Sequence, residues 1–381
     1  MQGARYEPRR AVPNGDLYPG RVSQPRLRPE IESLPAYKAG QAPVERTDIT
    51  TYKISSNETP FEPPERVRQA IEAAAREVHR YPDPFSRRLV TALAERFDVA
   101  PEQIALGTGS VAVVGQLLWA AAGPGDTVVY PWRSFEAYPI WVQMTGARSV
   151  QVPLLDDERH DLDAMAAAID DTTRVVFVCN PNNPTGEAVR EAELRAFLDR
   201  VPSDVIVVLD EAYREFIVDP DVPDGLAMAR GRENVVVIRT FSKAYGLAGL
   251  RVGFAIASPR IAEAIRKTAL PFGVSNLAEA AALAALESED ELLERVQQLS
   301  AERERVWQAL VEQGWDIHPS HANFIWLRLG DRTEGFAAAC EAAGITIRPF
   351  PGEGVRISIG EVEANDRVIE VAQGFRAKIA S

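Results

Sequence analysis

A lysine, two hydroxyls and an arginine share one short stretch of this chain: Thr240-Phe241-Ser242-Lys243-Ala244-Tyr245-Gly246-Leu247-Ala248-Gly249-Leu250-Arg251. A primary amine can capture an aldehyde, and hydroxyl donors beside a fixed guanidinium can hold a phosphate. Lys243 supplies the first chemistry; Thr240, Ser242 and Arg251 supply the second. A Ser-Lys pair alone reads as a solvated turn, so the weight rests on what accompanies it.

Val205-Ile206-Val207-Val208-Leu209-Asp210-Glu211-Ala212-Tyr213 puts an acid and a phenol just past an apolar run. The carboxyl ends of parallel strands are where open α/β sheets bind ligands. An ionised Asp beside a pyridine nitrogen keeps it protonated, so that the ring can accept electrons. Alone, Asp210 reads as well as a helix cap. Asn180-Pro181-Asn182-Asn183-Pro184-Thr185-Gly186 follows another apolar run and has the composition of a turn. Gly107-Thr108-Gly109-Ser110-Val111-Ala112 matches the dinucleotide fingerprint G-x-G-x-x-A, with Asp126 nineteen residues past Gly107. A ribose-binding acid should follow the second strand, whereas Asp126 precedes one, so that reading fails. Anion binding by backbone N–H groups at a helix N-terminus survives. Trp132-Arg133-Ser134-Phe135-Glu136-Ala137-Tyr138 offers aromatic faces that can stack on a heterocycle. In Val355-Arg356-Ile357-Ser358-Ile359 the alternation describes a half-buried strand with Arg356 pointing away from its apolar neighbours. A guanidinium is the natural bidentate partner of a carboxylate. Arg348 is a second candidate, for the far end of a substrate.

The elements that must position these residues follow from pattern. Apolar runs at 104–106, 127–130, 148–152, 173–179, 205–209, 235–240 and 252–257 alternate with helical segments. Near-continuous Val/Ile runs of this kind describe a largely parallel sheet covered on both faces. Helical spacing predicts helices over 64–78, 86–97 and 111–122. Beyond about Pro271 a long helical stretch, broken near 287–290, precedes short strand runs at 324–327, 345–347 and 355–359. The expected fold class is therefore α/β: a large domain over 79–272 and a smaller α+β domain over 273–381. Residues 29–78 are expected to join the small domain and a dimer contact, after a flexible arm over 1–28.

With 381 residues, 46% hydrophobic and 25% charged, the chain has the balance of a globular protein of two ordinary cores. A net charge of −13 argues against nucleic acid or an anionic membrane as partner, while leaving room for a local phosphate site. Two cysteines far apart and four histidines without ligand spacing give neither a disulfide framework nor a metal site, and fit a cytoplasmic setting. No apolar run approaches a membrane span, and the N-terminus has no secretory h-region.

Together these strings resemble the fold-type I aminotransferases of class I/II, nearest the histidinol-phosphate and aromatic amino acid branch, from about Leu27 to the C-terminus. The resemblance implies the cofactor pyridoxal 5'-phosphate, held by Lys243 as a Schiff base, and ping-pong transfer between an amino acid and a 2-oxo acid. It implies phosphate contacts from Gly109, Ser110, Val111, Thr240, Ser242 and Arg251, ring contacts from Asp210, Tyr213 and Asn183, and stacking by Phe135. It implies substrate contacts from Arg356, Arg348, Tyr37 and Asn57, the last two lining the entrance. Tyr81 matches a tyrosine that reaches the neighbouring subunit's cofactor phosphate, which implies a homodimer. Val111-Ala112 stands where histidinol-phosphate enzymes carry Asp-Glu, which favours aromatic amino acids over histidinol phosphate. A decarboxylase of the same fold would keep the cofactor residues, and a cofactor-binding regulator would need a DNA-binding module that the acidic chain lacks.

Overall fold

The computed structural model describes residues 25–35 and 46–380. The expected arm therefore falls almost wholly outside the described residues, as does Tyr37. At the centre is a seven-stranded sheet: β1 (Ile104–Gly107), β2 (Thr127–Trp132), β3 (Arg148–Pro153), β4 (Thr173–Cys179), β5 (Ile206–Asp210), β6 (Val235–Thr240) and β7 (Gly253–Ile256). Their order is β1-β7-β6-β5-β4-β2-β3. All pairings are parallel except those of β7, which runs against both neighbours. The carboxyl ends of β1, β2, β4, β5 and β6 thus share one edge of the sheet.

Alternation along the strands divides the interior into two cores. Val175, Phe177, Cys179, Val208 and Ile238 face one side, against Val113, Leu117, Tyr138, Val142 and Ile265 of the helices Ser110–Ala121, Ala137–Thr145 and Pro259–Lys267. Val176, Val178, Val207, Leu209 and Val237 face the other, against Met165, Leu194, Phe197 and Met228. Burial on both faces is why these strands read as unbroken apolar runs.

A third core gathers the C-terminal part with residues from the N-terminal side, among them Ile54, Val67, Leu89, Leu292, Phe324 and Ile357. Its antiparallel sheet comprises β8 (Phe324–Arg328), β9 (Arg348–Phe350) and β10 (Gly354–Ser358), with β10 central. Tyr52–Lys53 pairs with Ile345–Thr346. The long helical stretch divides into Asn276–Leu286 and Glu289–Glu312, and the helix Val362–Ala380 closes the chain. β10 corrects the sequence reading in one respect: it is buried along its whole length rather than half-buried. On its polar face Arg356 and Ser358 are both buried, Arg356 beside a cavity and Ser358 against Asn57.

Candidate active site

The loops after β1, β2, β4, β5 and β6 leave the shared edge and, with residues 55–58 and the strands β9 and β10, line a cavity of about 260 Å³. Its lining includes Lys243, Asp210, Tyr213, Asn183, Ser110, Val111, Phe135, Thr240, Ser242, Arg251, Arg348, Arg356 and Asn57. Gly109 stands beside it as the residue before the helix Ser110–Ala121. Tyr81 lies elsewhere: it is 83% exposed and packs on Phe272 with centroids 4.8 Å apart.

The Thr240–Arg251 loop and the helix Ser110–Ala121 form an anion cradle. Thr240 Oγ1 donates to Ser242 Oγ at 3.0 Å, and Arg251 Nη1 donates to Ser242 Oγ at 3.3 Å. Gly109 has φ +86, and a Cβ built on it would lie 2.4 Å from Arg251 Nη2. A Cβ on Gly253 would lie 2.2 Å from the amide nitrogen of Ser110. Glycine at these positions lets the guanidinium and β7 approach the first turn of the helix, whose N–H groups favour negative charge.

Lys243 Nζ, half-buried, donates to the carbonyls of Ser56 at 3.1 Å and Asn57 at 3.2 Å. Burial, with the charge of Arg356 next, pulls the amine down to about 7. Asp210 ends β5 on the face shared with Tyr138, whose hydroxyl donates to Oδ2 at 2.7 Å. Burial pushes the Asp210 carboxyl up to about 6 against that bond, and its Oδ1 is buried without a hydrogen-bond partner among the described residues. Phe135 meets Tyr138 edge-on with centroids 5.5 Å apart.

Opposite, Arg356 Nη1 donates to Asn183 Oδ1 at 2.6 Å and Nη2 to the Ser55 carbonyl at 2.8 Å. Asn57 is only 1% exposed, so it belongs to the interior of the site rather than to its entrance. Its Nδ2 donates to the Tyr213 hydroxyl at 2.8 Å, while Ser358 Oγ donates to its Oδ1 at 2.8 Å. Burial raises the Tyr213 phenol.

Sequence reasoning missed several of these partners. Ser358 shares the Arg356 face at a spacing of two, a signal that was available. The carbonyls of Ser56 and Asn57 reach Lys243 across nearly half the chain and leave no local pattern. Glu136, Cys179 and Phe350 also line the cavity.

Residues 50–371 match the family described as aminotransferase class I and II. The aromatic amino acid aminotransferase of Streptomyces avermitilis is 59% identical over 357 residues, 94% of this chain and 99% of that protein. That of Thermobifida fusca is 57% identical over 351 residues, 92% of this chain and 97% of that protein. Among solved structures, the histidinol-phosphate aminotransferase of Sinorhizobium meliloti in complex with pyridoxal-5'-phosphate superposes with a TM-score of 0.84. It is 30% identical, and the match covers 94% of this chain and 100% of that one. By sequence match across most of its length and by fold, this chain belongs to the class I and II aminotransferases.

Proposed function

We propose that the protein transfers the amino group of an aromatic L-amino acid to a 2-oxo acid such as 2-oxoglutarate, with pyridoxal 5'-phosphate as cofactor. One observation carries this: Lys243 shares a cavity with a buried aspartate and an anion cradle. The residues fit such a group. The cradle of Ser110, Val111, Thr240, Ser242 and Arg251 would hold the phosphate, with Gly109 leaving room for it. The unpartnered Oδ1 of Asp210 would meet the ring nitrogen, Tyr213 and Asn183 the ring hydroxyl, and Phe135 the ring face. Lys243 would carry the aldehyde carbon. When bound, this cofactor supplies an electron sink that makes the substrate Cα–H acidic.

The chain's own groups then divide the work. Arg356 binds the α-carboxylate and fixes which Cα bond faces the ring. Lys243, partly neutral near pH 7, can accept the Cα proton and return it. Asp210 brings a carboxylate to the cavity, and Tyr138 holds it in place. The aromatic preference rests on the relatives at 57–59% identity named for that activity and on Phe350, an aromatic ring in the lining. A homodimer is proposed with Tyr81 reaching the partner's cradle, since Val78, Tyr81, Phe85, Leu270 and Phe272 are exposed. Two buried free thiols, Cys179 and Cys340, suit a reducing cytoplasm.

The test compares initial rates on purified, cofactor-loaded protein. Phenylalanine with 2-oxoglutarate should give phenylpyruvate and glutamate at a kcat/KM well above that for histidinol phosphate. The reverse order would overturn the aromatic assignment, and release of carbon dioxide with an amine would overturn transamination.

A further inference from the structure

Arg348 and Arg356 stand directly across from each other on the antiparallel strands β9 and β10, and both line the cavity. Like charges in that register repel. The opposite wall supplies a counter-charge: Arg348 Nη2 donates to Glu136 Oε2 at 2.8 Å. The side chains are 11% and 31% exposed, so the pair is partly shielded from solvent. Glu136 immediately follows Phe135, in the loop after β2, whereas Arg348 comes from the three-stranded sheet. Phe350, two residues beyond Arg348, presents its ring to the same cavity, with the Arg348 guanidinium carbon 5.5 Å from its centroid.

Building on the aromatic assignment above, we propose that Glu136 is a specificity-determining residue that neutralises Arg348 and so favours an apolar side chain over a second carboxylate. A monocarboxylic substrate uses Arg356 and meets, at Arg348, a charge already matched beside the ring of Phe350. A dicarboxylic acid brings a second negative charge next to Glu136 and must compete with it for the guanidinium. The amino donor and a dicarboxylic oxo acid take turns in one cavity, so the strength of this pair sets the balance between them.

The experiment is calorimetric titration of the cofactor-loaded enzyme with two unreactive acids, 3-phenylpropanoate and glutarate, which differ by a second carboxylate. Glu136→Gln keeps the size of the side chain and removes its charge. Glutarate should then bind about two- to fivefold more tightly, the worth of a partly exposed ion pair, while 3-phenylpropanoate is unchanged. The gain should shrink as salt is raised, and it should vanish in the double variant Glu136→Gln with Arg348→Leu. A glutarate gain that persists without Arg348 overturns the role of Glu136. So does an unchanged ratio of the two acids in an enzyme that still turns over phenylalanine, a result that leaves the aromatic assignment standing. If wild type neither binds 3-phenylpropanoate nor turns over phenylalanine, the aromatic assignment itself has failed and the inference falls with it.

Discussion

The hydroxyl of Tyr138 donates to Asp210 Oδ2 at 2.7 Å, while Oδ1 is buried with no hydrogen-bond partner among the described residues. Half of the carboxylate is thus fixed and half held ready. A buried acceptor without a donor costs free energy in the folded chain, and a ligand that brings a proton to it recovers that cost. Tyr138 is itself held between Phe177, stacked at 4.5 Å, and Phe135, so the aspartate's orientation is set by a packed aromatic layer.

That burial has a pH signature. Asp210 titrates near 6 in the fold against about 4 in an unfolded chain. Its folded pKa is raised, so its contribution to stability is fully present below about 4 and is lost as pH rises through about 6. Asp210→Asn removes the titration. The cofactor-free variant should therefore exceed wild type in stability at pH 8 by on the order of 2–3 kcal/mol, with the difference closing toward pH 4. Urea unfolding at the two pH values checks this, and a pH-independent difference would contradict it.

The lowered amine of Lys243 makes a kinetic prediction. Only the neutral amine has a lone pair for the cofactor's aldehyde. Capture of pyridoxal 5'-phosphate by the cofactor-free protein should accelerate through pH 7 and level off, following a group near 7, rather than climbing toward about 10 like an ordinary lysine. Stopped-flow absorbance reads the rate. Lys243→Ala should lose both the visible absorbance and turnover; a variant that kept full activity would remove Lys243 from the mechanism.

Much of this site was legible because α/β chemistry sits at strand ends. Asp210, Asn183 and Lys243 each follow a buried apolar run, and the sheet then brings their loops to one edge without further instruction. What stayed hidden depends on long-range packing. The pairing of Glu136 with Arg348 joins the loop after β2 to strand β9 of the three-stranded sheet, and neither local pattern announces the other. Arg356 was read as lying on a half-buried strand because alternation tells which residues share a face, not whether that face meets water or a cavity. The reversal of β7 was equally silent, since a buried antiparallel strand and a buried parallel one are both unbroken apolar runs.

The cradle depends on a missing side chain. Gly109→Ala puts a methyl at φ +86 and 2.4 Å from Arg251 Nη2, so both the backbone and the guanidinium must shift. Gly109 pairs that φ with ψ 160, a region essentially reserved for glycine, and forcing alanine into it should by itself cost about 1–3 kcal/mol of stability. Affinity for pyridoxal 5'-phosphate should fall roughly tenfold or more as the charge-assisted contact to Arg251 is lost. Pyridoxal, which lacks the phosphate, should bind almost as before. Equal losses for the two compounds would place the damage elsewhere than the cradle.

Arg356 should resist conservative replacement. Its two terminal nitrogens already donate to Asn183 Oδ1 and the Ser55 carbonyl, an arrangement that a lysine's single nitrogen cannot reproduce. Arg356→Lys should lower kcat/KM for phenylalanine by about 10- to 100-fold, the range for a lost hydrogen bond to a charged group. Cofactor absorbance should be preserved. A loss of absorbance together with activity would show that the arginine holds the cofactor rather than the substrate carboxylate.

The proposed dimer makes the last prediction. Tyr81 is 83% exposed and does not line its own chain's cavity, so any role at a phosphate requires a second subunit. Tyr81→Phe should then weaken cofactor binding without lowering the stability of the subunit, because phenylalanine keeps the ring contact with Phe272 and the rest of the side chain is exposed. Complementation separates this from a local effect. Mixing Lys243→Ala subunits with Tyr81→Ala subunits, at a cofactor concentration too low to load the latter alone, creates heterodimers in which one site carries both defects and the other carries neither. Random pairing of equal amounts should restore about a quarter of the sites. Activity that appears on mixing can come only from a site built by two chains, whereas a mixture no more active than its parts would return Tyr81 to the surface as an ordinary exposed aromatic.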